Sequence, residues 1–142
     1  MSSGWLATWL DVEMLAERIG GLPPPHTPDR FLPTWDGPQL EELLGSRRLC
    51  RYVIPSDVGA FTTGSTRRHW VTPTPYSPDE ATSYLTLPNP LIRRTHVLLL
   101  DPAEIELAVG PKQIVAGAGI EFLLPKGFPP GAVLNGWEME VR

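Results

Sequence analysis

The chain has 142 residues, a formal net charge of -4 and a single cysteine, Cys50. That length supports one core burying roughly 70% of the unfolded surface; one cysteine excludes an internal disulfide, and no paired Cys/His spacing of a zinc site is present. Net negative charge argues against general nucleic-acid binding, and no apolar run approaches the roughly 18 residues of a membrane helix.

The first residues carry no basic leader or small-residue cleavage site, so the expectation is a soluble single domain that is cytoplasmic or delivered by a non-classical secretion route. The charge is unevenly spread: residues 1–44 hold two basic and seven acidic groups, residues 45–100 seven and three, and residues 101–142 three and six. The basic middle third comes from the doublets Arg47-Arg48, Arg67-Arg68 and Arg93-Arg94 with Arg51. Planar guanidinium forks suit phosphates and carboxylates, although each doublet also reads as solvated surface.

In chain order, Ser3 to Gly20 spaces Trp5, Leu6, Trp9, Leu10 and Ile19 at helical intervals and stops at Gly20-Gly21, predicting an amphipathic helix. Its tryptophan face is expected to pack on the rest of the chain, with docking of an inhibitor as the alternative. Leu22 to Trp35 carries five prolines in fourteen residues and reads as an extended connector. A short helix follows from Pro38 to Leu44, capped by Asp36 with Gln39 three residues on and closed by Gly45. From Leu49 the texture becomes β-rich, with strands expected at Leu49–Ile54, His69–Thr72, Thr95–Leu100, Gln113–Ala116, Ile120–Leu124 and Val133–Val141. Ser77-Pro78-Asp79-Glu80 has capping-box spacing and opens a helix to about Leu85. Without β-α-β alternation the fold class is α+β, a helical segment over residues 1–44 leading into a β-rich core over 45–142.

Two residues stand out chemically. Period-two alternation puts Arg51 on the face of Leu49 and Val53, where a guanidinium needs an anion, either a protein carboxylate or a bound phosphate. Glu121 interrupts the otherwise apolar Gly119–Leu124 run, behind Gly117-Ala118-Gly119, a stretch that lets a ligand approach the backbone closely. The two can equally be each other's partners. Thr72, Thr74 and Tyr76 lie where a strand leaves into a proline segment, and Tyr76 and Tyr84 are rings able to stack on a planar ligand or to fill the core. His26, His69 and His96 lack metal spacing; His69 among arginines leaves open a metal-independent nuclease. Cys50 has no setting that lowers its pKa.

Together, Arg51 in a first strand, threonines at the end of a middle strand and Glu121 after Gly-Ala-Gly resemble the Arg, Ser/Thr, Glu order of ADP-ribosyltransferase-like toxin domains. Residues 70–122 are similar to their NAD-glycohydrolase and polymorphic-toxin branch: a strand, Ser-Pro-Asp-Glu-Ala, Leu87-Pro88, another strand, then Gly-Ala-Gly-Ile-Glu-Phe. Ala118 replaces the middle glycine of that pattern, and Gly119 stands where arginine-modifying relatives carry a second acid. The resemblance covers roughly Arg51 to Val141 and implies, for the N-terminal helices to pack on, a mostly antiparallel, split sheet; it also implies NAD as substrate, no metal, an unknown acceptor macromolecule if ADP-ribose is transferred, and a possible cognate immunity protein. It further implies that Glu121 stabilises an oxocarbenium-like state, that Arg51 grips a phosphate, that Thr72 or Thr74 braces the site, that Tyr76 flanks the nicotinamide, and that Gly119 admits the ligand. The alternative is a non-catalytic interaction module, immunity- or antitoxin-like or a degenerate member of the fold, in which Arg51 and Glu121 form a structural pair.

Overall fold

The structure, a computed structural model, describes residues 4–85, 87, 94–114 and 119–138. Within them the helices are α1 (Gly4–Ile19), α2 (Gly37–Leu44), α3 (Pro55–Phe61) and α4 (Pro78–Tyr84). The strands are β1 (Thr34–Trp35), β2 (Leu49–Val53), β3 (His69–Val71), β4 (His96–Leu100), β5 (Ala108–Gln113), β6 (Ile120–Leu124) and β7 (Val133–Glu138). Two antiparallel sheets result, one ordered β1-β5-β6-β3 and the other β2-β4-β7, so the chain is α+β. An isolated Cys50↔Thr72 bridge ties β2 to the end of β3, its two backbone hydrogen bonds at 2.7 and 3.1 Å.

Local chemistry accounts for the helices. Asp36 caps α2 reciprocally with Gln39 at 2.9 Å in both directions, and Gly45 at φ 65° ends it. Leu40, Leu43 and Leu44, one stripe at i, i+3 and i+4, are then buried. Gly37 opens α2 because a Cβ there would stand 2.2 Å from the Ala103 carbonyl oxygen. Ser77 and Glu80 form the second capping box, opening α4. The main core joins Leu15 of α1, this α2 stripe, Leu49 and Leu100 of the second sheet, and Ile120, Phe122 and Leu124 of β6. Full burial of the Phe122 ring contributes roughly 2–3 kcal/mol.

Three expectations are corrected. The strand expected at Gln113–Ala116 begins earlier, at Ala108; Gly110-Pro111 sits at a register shift between Val109 and Lys112, where a bulge removes the need for the proline N–H. Residues 115–118, and the end of the strand expected to reach Val141, lie outside the described residues. The helix α3 was not foreseen, because seven residues containing Gly59 carry little helical signal.

The third correction concerns α1. It packs through Leu15 with Val12, Met14 and Ile19, and through polar contacts, while Leu6, Trp9 and Leu10 remain exposed, Trp9 by 53%. Its buried side includes Thr8 and Asp11. Asp11 accepts from Arg47 Nε at 2.5 Å and from Thr74 Oγ1 at 2.8 Å, and Thr8 hydrogen-bonds the Tyr76 hydroxyl. The inward side of α1 is thus selected by satisfied polar groups as well as by hydropathy, which periodicity alone does not register. No helix among the described residues is long and apolar enough to cross a membrane.

Candidate functional site

Alternation along β6 sends Ile120, Phe122 and Leu124 into the core and leaves Glu121 and Leu123 on the other face. There Leu123 meets Val109, Trp70 and Leu32, the last from the proline-rich connector. Lys112 of β5 is directly across from Glu121, but its ammonium is engaged elsewhere, 2.7 Å from Asp29 Oδ1, and Arg68 Nη2 reaches Asp29 Oδ2 at 3.0 Å. Both cations approach the Trp70 ring, Arg68 at 5.9 Å and Lys112 at 5.6 Å from its centroid. Glu121 itself joins no ion pair among the described residues. Burial pushes its carboxyl up to about 7; Lys112 and Arg51 oppose that rise and Asp29 adds to it. At neutral pH the group is therefore poised between its two protonation states.

Arg51 stands on β2, next to β3. One guanidinium nitrogen, Nη1, donates to the Trp70 carbonyl at 3.3 Å. Its Nε is buried and is the one buried side-chain polar atom among the described residues without a hydrogen-bond partner. Burial, then the neighbouring Arg94, work against the positive charge, while Glu121 and Asp57 favour it. Arg51 and Glu121 thus act on one another's charge without forming a direct ion pair. An orphaned buried guanidinium N–H is costly, and an anionic ligand is the chemistry that offsets it.

Of the other residues singled out in the sequence, Thr72 is fully buried, donates to the Ile120 carbonyl at 2.8 Å and accepts from the Thr74 amide at 3.2 Å, so it braces β3 against β6 beside Glu121. Thr74 and Tyr76 are not brought to the site. Thr74 is occupied by Asp11; the Tyr76 hydroxyl is taken by Thr8, its amide donates to the Tyr52 hydroxyl, and its ring stacks on Tyr84 at 5.4 Å within a second core cluster. The proline segment after β3 turns them toward α1, so the Tyr76 ring fills the core with half-buried Tyr84 stacked on it. Gly119 is required by packing: its amide donates to the Tyr84 carbonyl, and a Cβ would come within 2.6 Å of that oxygen. Gly117 and Ala118 lie outside the described residues.

His69 is buried against Phe61 and Phe128 with Nε2 on Ser65 Oγ at 2.7 Å, and burial, helped by Arg51 and Arg67, pushes its pKa down to about 4. A neutral, enclosed imidazole of this kind is a poor start for nuclease chemistry. Burial pushes the Cys50 thiol up to about 12, leaving it inert. The described residues contain no cluster able to hold a metal ion.

Sequence reasoning flagged Arg68 within its arginine doublet but missed Asp29, Trp70 and Lys112. The signal for Trp70 was its alternation between inward-facing His69 and Val71, and that for Lys112 was its place in a strand that had been set too late. An open cleft of about 760 Å³, lined by Asp57, Phe61, Ser65, Arg67 and Phe128 among others, has neither Arg51 nor Glu121 in its wall; Asp57 on that wall acts electrostatically on Arg51. Its size falls in the range of small-molecule sites, roughly 300–1,000 Å³.

The arrangement brings a carboxyl raised in pKa, an under-satisfied buried arginine and two surface cations onto or beside neighbouring strands. Such a set has the chemistry to bind an anion and to stabilise positive charge developing close to the carboxylate. Compared with protein-family models, with curated proteins and with solved structures, the chain gave no match.

Proposed function

We propose that the chain is an NAD-consuming enzyme of the ADP-ribosyltransferase-like class, hydrolysing NAD or passing its ADP-ribose to an acceptor macromolecule. The observation that carries this reading is the lateral order of Arg51, Thr72 and Glu121 on or beside β2, β3 and β6, three neighbouring strands at the split between the sheets, with Arg51 Nε left unpartnered. Arg51 takes a phosphate of the dinucleotide through Nε and the rest of its fork. Thr72 fixes the spacing of β3 and β6. The bond from the ribose C1′ to the nicotinamide nitrogen breaks with its electron pair going to the pyridinium, and the ionised Glu121 carboxylate stabilises the oxocarbenium ion left behind. Water or an acceptor nucleophile then adds to C1′ and releases one proton, for which Glu121 is a base of suitable pKa. Gly119, in place of a second acid, leaves water the simplest acceptor.

Calorimetric titration with NAD tests the binding half of this reading. Arg51→Lys keeps the charge but loses the fork, so NAD affinity should fall at least tenfold while the circular dichroism spectrum is unchanged; equal affinity for wild type and variant would remove Arg51 from the site. The second reading, a non-catalytic interaction module, draws support from the exposed Leu6, Trp9 and Leu10 stripe of α1. It requires that wild-type protein bind no NAD.

A further inference from the structure

The proline-rich connector between α1 and β1 does more than join two elements. It starts on the side of the first sheet that carries Ile120, the register partner of Gln113, and from Asp29 onward crosses the face that carries Glu121. Gln113 Nε2 donates to the Pro23 carbonyl at 3.0 Å, Leu32 is buried against Val109, Leu123 and Trp70, and the Gly110 amide donates to the Pro33 carbonyl at 2.9 Å. In the middle, Asp29 bridges Lys112 and Arg68. Asp29 is therefore one ammonium group away from Glu121, since Lys112 is the cross-strand neighbour of that residue.

We propose that Lys112 and Arg68 form a diphosphate-binding site, occupied in the ligand-free protein by Asp29, and that the connector is a lid which an incoming diphosphate opens by displacing that carboxylate. The inference rests on the reading of Glu121 as the reacting carboxylate, and it names the group that admits the substrate. Three observations point to it. First, the cations outnumber their partner: Arg51, Arg68 and Lys112 converge on a region where Asp29 answers two of them and Glu121 answers none directly. A diphosphate carries more negative charge and more acceptor oxygens than one carboxylate, so exchange is favourable.

Second, the latch is weak. The side chains of Arg68, Asp29 and Lys112 are 58%, 36% and 30% exposed, and ion pairs in such positions hold loosely. Third, the segment that carries Asp29 is anchored at its two ends and reaches the sheet between them through that residue. Leu22 packs on the main core and the Pro23 carbonyl accepts from Gln113 at one end, while Leu32 is buried and the Pro33 carbonyl accepts from the Gly110 amide at the other. Displacing Asp29 from Lys112 and Arg68 therefore frees residues 26–31 between two fixed points.

Inorganic pyrophosphate is the direct probe, used on the full chain by calorimetry and by amide hydrogen exchange. Asp29→Asn should bind pyrophosphate about tenfold more tightly than wild type, and adding Lys112→Gln to it should abolish the gain. In wild type, saturating pyrophosphate should raise exchange at the amides within residues 26–31 while leaving β5 and β6 protected. Unchanged or weaker pyrophosphate binding by Asp29→Asn in a folded protein, or no change in exchange over 26–31, overturns the proposal. The outcome separates from that of the NAD reading, because no turnover is measured. A tightened pyrophosphate site in a protein that never releases nicotinamide sinks only the NAD assignment, whereas nicotinamide release with pyrophosphate binding indifferent to Asp29 sinks only the lid.

Discussion

Replacing Glu121 by glutamine should make the protein more stable, and by an amount that depends on pH. Burial raises the Glu121 carboxyl from its ordinary 4.5 to about 7, which corresponds to roughly 3 kcal/mol between its two protonation states, an upper bound because the group keeps some contact with water. The sign follows from linkage. A carboxyl whose folded pKa exceeds its unfolded value binds more protons when folded, so its contribution is fully present below pH 4.5 and is lost as pH climbs through about 7. Glutamine imitates the protonated form at every pH. Glu121→Gln and wild type should therefore melt together near pH 4.5, and the variant should melt higher by up to roughly 10 °C at pH 8.5 for a chain of this size. Thermal unfolding followed by circular dichroism at four or five pH values between these limits reads the difference directly. A gap that stays constant with pH, or a variant less stable at pH 8.5, would refute the reasoning that burial, and not an ion pair, governs this residue.

The enclosed His69 should produce the opposite limb. Its folded pKa near 4 lies below the ordinary 6.5, so the stability it contributes is lost as pH falls from about 6.5 to 4; His69→Phe should flatten that acid limb in the same melting series. Asp11→Ala strips the partner from Arg47 and from Thr74 Oγ1 and should cost about 2–4 kcal/mol in urea unfolding, discounted because Arg47 is partly exposed; a cost under 0.5 kcal/mol would mean that α1 is held by its apolar residues alone. Gly119→Ala, with its Cβ 2.6 Å from the Tyr84 oxygen, should destabilise by about 2 kcal/mol or more through separation of α4 from β6, measurable without any ligand. Nicotinamide release, if limited by ionisation of Glu121, should rise with pH along a single limb centred near 7 in the dependence of kcat/KM.

The parts of this molecule legible in its sequence are those specified by short-range chemistry. Asp36 with Gln39 and Ser77 with Glu80 announce two helix starts within four residues each, and the alternation of Ile120 to Leu124 gives both the strand and the odd face of its glutamate. What stayed hidden depends on contacts between distant segments. Nothing local marks Asp29 as the partner of Lys112, 83 residues away, or makes Thr8 and Asp11 the inward side of α1 when Trp9 and Leu10 are more apolar. Tyr76 illustrates the same limit: a ring at a strand exit suits a ligand or a core equally, and the Thr8 hydroxyl that claims it is 68 positions upstream. Arg51 and Glu121 were recognisable because a charged residue in an apolar alternating run is anomalous wherever the chain goes.

The central claim is tested most directly by nicotinamide release from NAD, measured on purified wild type and Glu121→Gln, each with and without a cell lysate as a source of acceptors. Wild type should release nicotinamide, and the variant, still folded and still binding NAD, should be slower by about 10²–10³-fold. Release without lysate identifies a glycohydrolase, and label transfer that needs lysate and is lost in the variant identifies a transferase. Equal release by both proteins, or none from wild type under either condition, would contradict the assignment of Glu121 as the carboxylate that carries the reaction.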